Sequence, residues 1–469
     1  MNIYFISVIF LISSIISIAQ NQTNWIGFEN LNSARSFHSA VLLSNGNILV
    51  SGGQDEKGNV LSTCEIYDFK NKNWRNTSSM NFPRYRLVLV HLLDNRVLAI
   101  GGQGIRSCEI FDPVTETWSV TDSLHVKRYT YDINAILLDD GRVLVAGGFD
   151  IKADIDNRYL NICEIFDPVT NKWTLTDTLK SKRAGHTMTK LKNGKILIAG
   201  GYNNEFEIKK CELFDPHTNQ WSFADSLNFA KSAHTAILLS DGKLLIAGGK
   251  EGGDTTDPWS SSCELYDPDR NEWLVVGSLS VSRTYANAFL ISDNLIMFAG
   301  GAHNAHLWEL YDANKFDSVH LDFFPVDKFD QEILITKDSS LISIAGTEVD
   351  MNGGIPLLFA SNKCEIYKLG ITSIDNENPI PQDFILNQNY PNPFNPETII
   401  TYQLIESRHI TLNVYDILGK RITLVNEEQG AGIHKIQFDA GKYNLSSGIY
   451  FYRLKASDFI LTKKMIMLQ

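Results

Sequence analysis

A pair of adjacent glycines closes a short hydrophobic run six times in this chain, at Gly52-Gly53, Gly101-Gly102, Gly147-Gly148, Gly200-Gly201, Gly248-Gly249 and Gly300-Gly301. After a variable gap each pair is followed by a second pattern, first Cys64-Glu65-Ile66-Tyr67-Asp68 and then its equivalents from Cys108, Cys163, Cys211 and Cys263. A sixth copy, Trp308-Glu309-Leu310-Tyr311-Asp312, lacks the cysteine, and a seventh, Cys364-Glu365-Ile366-Tyr367, follows a worn Ala345-Gly346. From Glu65 to Glu365 there are six steps in 300 residues, a mean period of 50. A chain that repeats at this spacing is an array of supersecondary units, each too small to bury its own apolar face.

Within a period the local signals are those of strands. Ser240-Asp241-Gly242-Lys243 is a turn, Leu244 to Ala247 a short buried strand, and Asp267-Pro268-Asp269-Arg270-Asn271 a second turn before Trp273. Four short strands result per period, and such sheets bury both faces only by stacking, radially as a β-propeller. Composition agrees: 43% hydrophobic and 11% aromatic residues among 469 supply large cores and exclude disorder. A net charge of -12 argues against nucleic acid as a partner.

A tryptophan follows each Asp-Pro-type turn at Trp74, Trp118, Trp173, Trp221 and Trp273, with Phe316 in the sixth repeat and none in the seventh. After Tyr367 the chain passes into a polar stretch, so the last sheet lacks a strand. Asn24-Trp25-Ile26-Gly27, followed by Leu31 and Arg35, matches the spacing of Trp273, Leu279 and Arg283. The sequence therefore predicts a ring of seven blades, residues 20–370, closed by an outer strand near Trp25. Closure removes two exposed sheet edges.

The diglycine, the aromatic of Glu-Ile-Tyr-Asp and the trailing tryptophan resemble kelch repeats over roughly residues 24 to 369. The resemblance implies a seven-bladed kelch-type β-propeller in an all-β protein. All six cysteines share one repeat position, and packed sheets stand about 10 Å apart, beyond the roughly 7 Å Cα separation that a disulfide tolerates. Six buried free thiols are expected.

The glutamate after the cysteine is present in all seven copies, and Arg35, Arg84, Arg128, Arg183 and Arg283, with Lys231 in a sixth copy, precede the first strand. Two readings stay open. One is a repeated ion pair fixing blade against blade; the other is a ring of guanidinium groups at the axial mouth that binds an acidic glycan or peptide carboxylates. His38, His186 and His234 keep repeat phase nearby, and Tyr85, Tyr129 and Tyr285 stand close to this position in other copies. These aromatic groups, with the arginines and Trp259 from a diglycine loop, form the candidate ligand-binding rim.

The gap between diglycine and Cys-Glu varies from five residues in the second copy to about seventeen in the seventh, so one face carries the individuality of each blade. No H-E-x-x-H, G-x-S-x-G, phosphate loop or C-x-x-C occurs. No catalytic residue is assigned, and neither a metal nor a cofactor is expected; His303 and His306 lack a third ligand.

The ends of the chain speak of export. Ile3 to Ile18 is almost wholly apolar and followed by Ala19, a secretory signal peptide over residues 1–19 that is too short to span a bilayer and leaves no integral membrane segment once cleaved. Residues 371–383 read as a linker, and 384–469 as alternating strands of a small immunoglobulin-like β-sandwich. The run Asn389-Tyr390-Pro391-Asn392-Pro393-Phe394-Asn395-Pro396, then Val414-Tyr415-Asp416, Gly448-Ile449-Tyr450 and Thr462-Lys463-Lys464, resembles the type A C-terminal sorting domain of type IX secretion cargo. That resemblance makes Tyr390 to Pro396, Gly448, Tyr450, Lys463 and Lys464 the sorting signal and implies the type IX machinery as partner. It places the protein outside, or on the outer surface of, a Gram-negative bacterium. The expectation is a monomeric binding or adhesion module for a polysaccharide or protein. The alternative is a carbohydrate-active enzyme with its site at the axial mouth, which needs two converging carboxylates.

Overall fold

The structure, a computed structural model, describes residues 25–468 except 130–133, 205, 253–258, 302–306, 324–327, 330, 337–339, 351–356, 369–384, 387–388, 390–391, 393, 405–406, 417–419, 431, 444 and 457–458. The leader, the linker, His303 and His306 lie outside the described residues. The chain divides into two compact units, 1–370 and 371–469.

In the first unit each of the first six periods forms an antiparallel four-stranded sheet, and the seventh a five-stranded one in which Lys328–Phe329 and Glu332–Ile335 both pair with Ser340–Asp350. Blade 4 is typical: Thr187–Lys190, Ile196–Ala199, Glu212–Asp215 and Gln220–Phe223 pair in sequence order. The inner strand of each blade from the first to the fifth lies beside that of the next, Ser39–Leu42 of blade 1 lies beside Glu332–Ile335 of blade 7, and an apolar cluster joins blade 6 to blade 7. The sheets therefore form a seven-bladed β-propeller. Blade 7 takes its outer strand from the other end of the chain: Trp25–Phe28 pairs antiparallel with Leu357–Lys368, Trp25 opposite Tyr367 and Phe28 opposite Cys364.

An apolar cluster fills every junction between blades. Between blades 3 and 4 it contains Leu144, Cys163, Leu179, Ile196, Phe214 and Trp221. The six cysteines are free and buried. Their place in the repeat has a reason that the spacing did not reveal: the thiols of Cys64, Cys108 and Cys163 face the indoles of Trp118, Trp173 and Trp221 of the following blade. A small polarisable sulfur fills the space beside the indole in each junction cluster. Where blade 6 has Phe316 instead of tryptophan, the Tyr311 hydroxyl faces Cys263. Burial pushes the Cys163 and Cys211 thiols up to about 12, which keeps them protonated and inert.

The diglycines are explained by close approach. Both residues take positive φ in blade 4 (Gly200 60°, Gly201 102°), and a Cβ on Gly201 would lie 2.7 Å from the Ala184 carbonyl.

The second unit is a sandwich. Ile385–Leu386, Glu397–Leu404 and Gly432–Asp439 form one sheet; Arg421–Gln429, Arg408–Tyr415, Gly448–Ala456 and Phe459–Met467 form the other. Ile400, Tyr402, Leu412, Val414, Tyr452 and Met465 are fully or almost fully buried between them.

Candidate functional site at the axial mouth

The repeated arginines enter each blade just before its inner strand. Arg183 Nη2 lies 2.7 Å from Glu212 Oε1, while its Nη1 donates to the carbonyls of Gly200 (2.8 Å) and Lys210 (2.7 Å). Glu212 also accepts from the backbone N–H groups of Lys180 (2.7 Å) and Ser181 (3.1 Å). The same constellation joins Arg35 to Glu65, Arg84 to Glu109, Arg128 to Glu164 and Arg283 to Glu309, with both side chains 0–1% exposed in all five blades. Each arginine thus clips the incoming segment to its own blade, and its backbone carbonyl accepts from a glycine of the preceding blade, as Arg183 does from Gly148 at 2.9 Å and Arg128 from Gly104 at 3.3 Å. The open guanidinium ring is corrected here: desolvated, and each paired with its own glutamate and backbone carbonyls, Arg35, Arg84, Arg128, Arg183 and Arg283 belong to the scaffold.

Lys231 serves blade 5 differently. It is 0% exposed and reaches Glu251 at 3.0 Å, with the Ser262 hydroxyl also against its ammonium, rather than the repeated Glu264. Ser262 donates to Glu251 at 2.6 Å.

His186 and His234 are buried, and desolvation drives their imidazoles down to about 3, so they are neutral. Thr187 Oγ1 lies 2.9 Å from His234 Nε2, which ties blade 4 to blade 5 at the axis.

Two residues beyond Arg35, Arg84, Arg183, Lys231 and Arg283 the backbone turns left-handed. Phe37, Arg86 and Tyr285 (all φ 54°), Ala233 (φ 53°) and Gly185 (φ 62°) share this position. Backbone hydrogen bonds of 2.8 Å run between them, from Arg86 N–H to Phe37 O, Ala233 N–H to Gly185 O and Tyr285 N–H to Ala233 O. They outline the mouth of the channel. Positive φ in a bulky side chain costs energy and is a pointer to function, and here it falls on Phe37, Arg86 and Tyr285. The Arg86 guanidinium lies 4.4 Å from the centroid of the Phe37 ring and 5.9 Å from that of Tyr85; Tyr285 is 44% exposed. Phe37 and Arg86 were not singled out in the sequence. Their signal was the phase of the repeat, two residues past the arginine.

The other rim residues separate. Tyr129 is buried, its ring over Gly104, where any side chain would overlap it. Trp259 is half-buried and bridges to Lys250. Bridges from Tyr129 to Phe149 to Tyr159 and from Ala184 to Tyr202 carry the mouth segments into the variable loops, where Tyr159 packs 5.0 Å from Phe149 and 5.4 Å from Tyr202. Among the described residues no three His, Cys, Asp or Glu side chains gather in a way that would hold a metal ion.

In the sandwich the opening motif seals the last strand. Asn392 Oδ1 accepts from Ile466 N–H (2.8 Å), Phe394 N–H donates to Ile466 O (2.9 Å), and the Phe394 ring is buried. Tyr450 is buried and donates to Ser446 O (2.8 Å), whereas Lys463 and Lys464 are exposed. Tyr390, Pro391 and Pro393 lie outside the described residues.

Comparison with known proteins matches these parts separately. Residues 18–201 match the family model of the KLHDC2/KLHL20/DRC7 Kelch-repeats domain, residues 191–228 the Kelch motif, and residues 388–468 the secretion system C-terminal sorting domain. No curated protein matches the chain. Among solved structures, a fungal alcohol oxidase of the AA5 family in complex with copper is similar with a TM-score of 0.59, at 16% identity and over 95% of this chain and 98% of that one. That likeness is one of fold alone. The chain is a kelch-repeat β-propeller protein with a C-terminal type IX sorting domain, which marks it for export to the cell surface or the medium of a Gram-negative bacterium.

Proposed function

We propose that the exported propeller is a binding module that takes a polysaccharide at its axial mouth. The observation that carries this reading is the ring of left-handed residues: in three blades a position that favours glycine is given to Phe37, Arg86 and Tyr285, next to Tyr85. Aromatic faces stack against the apolar faces of sugar rings, and a guanidinium held on an aromatic ring offers planar donors to hydroxyls or carboxylates. Phe149, Tyr159 and Tyr202 continue an aromatic surface across blades 3 and 4. The repeated ion pairs are taken up by the scaffold, so recognition falls to the side chains that break the repeat.

The test is a glycan array probed with the whole protein and with Tyr285→Ala. Tyr285 is exposed, so its loss leaves the fold intact while weakening binding at least tenfold. Unchanged binding by the variant overturns the reading. Capture of peptides instead of glycans replaces the polysaccharide with a protein ligand, and shortened products in the eluate replace binding with catalysis.

A further inference from the structure

The junction between blades 5 and 6 lacks the parts that close its neighbours. In five blades a tryptophan stands opposite the aromatic of the third strand, as Trp221 does opposite Phe214 and Trp273 opposite Tyr266. In blade 6 the register places Ser318, not Phe316, opposite Tyr311, and Ser318 Oγ donates to Glu309 at 2.9 Å. The indole is therefore missing here. The turn beside it has Ala313 where blades 2 to 5 have Pro113, Pro168, Pro216 and Pro268. Phe316 stands two residues before the tryptophan position, at the left-handed site that Asn219 takes in blade 4 (φ 53° and 54°).

Neighbouring junctions show what fills the corresponding space. Arg142, at the inner turn of blade 3, donates from Nη1 to Asn219 Oδ1 (3.1 Å) and from Nη2 to Pro216 O (3.0 Å) of blade 4. Arg96 likewise reaches from blade 2 to Pro168 O (3.0 Å) of blade 3. At this phase blade 5 has Lys243, which turns back onto Asp241 of its own turn at 2.8 Å. Blade 4 also carries a lysine here, Lys195, but Pro268 and Trp273 stand behind it. With arginine, proline and tryptophan all absent, a pocket of about 180 Å³ lies between Leu239 and Leu265 of blade 5 and Ala313 and Phe316 of blade 6. Leu239, Leu265 and Ala313 are buried, whereas Asp241 and Asn314 are exposed at its edge. It lies at the end of the propeller opposite the mouth, where the inner strand Thr235–Leu238 runs into its turn.

We propose that this pocket binds a neutral, planar aromatic ring with an N–H on its edge, indole being the simplest case. The size is suitable, since a cavity of about 150 Å³ takes a benzene ring. The shape is that of the space a flat guanidinium occupies between blades 3 and 4, with the Phe316 ring in the place of the Asn219 amide. The faces of the ligand lie against Phe316, Leu239 and Leu265. Its N–H donates to Ala313 O, as Arg142 does to Pro216 O. Lys243 and Asp241, paired with each other, present no net charge that would draw an ion. The site stands at the far end of the propeller from the proposed glycan mouth and does not depend on it.

The experiment titrates indole, indene and N-acetyltryptophanamide into the whole protein, into Lys243→Arg and into Phe316→Asn, followed by NMR or calorimetry. Each variant restores the residue that blade 3 or blade 4 carries at the same phase, Arg142 or Asn219, and an unchanged melting temperature certifies its fold. Indole is expected to bind the unaltered protein at least tenfold more tightly than either variant. Indene, which has the same outline without the N–H, is expected to bind at least threefold more weakly than indole. No saturable binding of indole, equal affinity for indene, or undiminished binding by either variant overturns the site. N-acetyltryptophanamide separates the sources of the ring, and the site is retained in both cases. Affinity equal to that of indole assigns it to an aromatic side chain of a partner polypeptide, and exclusion assigns it to a free small molecule.

Discussion

Blade 4 holds its incoming segment with Arg183 locked onto Glu212, both side chains 0% exposed, and every strand of its sheet comes from 37 consecutive residues, 187–223. Blade 7 assembles strands from opposite ends of the chain, Trp25–Phe28 on Leu357–Lys368. The ion pair beside its inner elements, Lys363 with Glu348 at 2.8 Å, has the lysine 51% exposed. The regular blade is thus specified locally and fastened in the dry interior. The closing blade depends on contacts more than 300 residues apart, such as Asn362 Nδ2 donating to Leu31 O (3.1 Å) and Cys364 N–H to Asn30 Oδ1 (3.2 Å). Repetition gives each wedge its shape, whereas closure has to be added at one seam, and there the repeat is free to change its chemistry.

The largest expected contrast between the two regions comes from their ion pairs. Arg183→Ala leaves Glu212 buried without its cation and should cost about 3–5 kcal/mol in denaturant unfolding. Lys363→Ala should cost less than about 1 kcal/mol, because the lysine stands half in solvent and the Ser361 hydroxyl still donates to Glu348. Equal losses would erase the distinction between interior clip and seam. Next comes the closing strand. Phe28 packs 4.4 Å from the Tyr67 ring of blade 1, and Phe28→Ala should cost roughly 2–3 kcal/mol, well above truncation of the half-exposed Val120 at the outer edge of blade 2. A smaller loss for Phe28 than for Val120 would show that the ring stands without that seam.

The smallest effect is one of pH, and it has opposite signs in the two regions. Burial raises the Glu332 carboxyl of blade 7 from 4.5 to about 7 in the folded state, so it holds its proton more tightly there than in the unfolded chain. The stability that Glu332 contributes is therefore present below its ordinary value and is lost as pH rises through about 7. Glu332→Gln should match the unaltered protein at pH 5 and exceed it at pH 8 by about 1–2 kcal/mol, a figure reduced by the partial exposure of the group. His186 and His234, driven down to about 3, act the other way. Their contribution is present above the ordinary imidazole value and is lost as pH falls toward 3, so His186→Gln should flatten the acid side of the melting curve. Parallel stability-pH curves for Glu332→Gln and the unaltered protein would refute the buried carboxyl.

Much of this was legible in the residues because repetition multiplies a weak local signal by seven. The diglycine, the turn before each tryptophan and the glutamate after the cysteine each gain force from recurring in phase. The arginines illustrate the limit. Their recurrence was plain, but whether they faced solvent or the interior depended on the path of the segment that carries them, and only the fold shows the guanidinium groups turned onto Gly200 O and its equivalents. Phe37 and Arg86 were silent because nothing in their types announces a left-handed backbone. The burial of Glu332 was silent because a single carboxylate in an alternating strand looks like any exposed one.

The sequence by itself determined the architecture: the period, the number of blades and the sorting tail follow from patterns set by neighbours in the chain. Tertiary structure decided which polar groups are available to a ligand. Burial and pairing are properties of the closed ring, where residues hundreds of positions apart take water away from one another, and no local pattern encodes that loss.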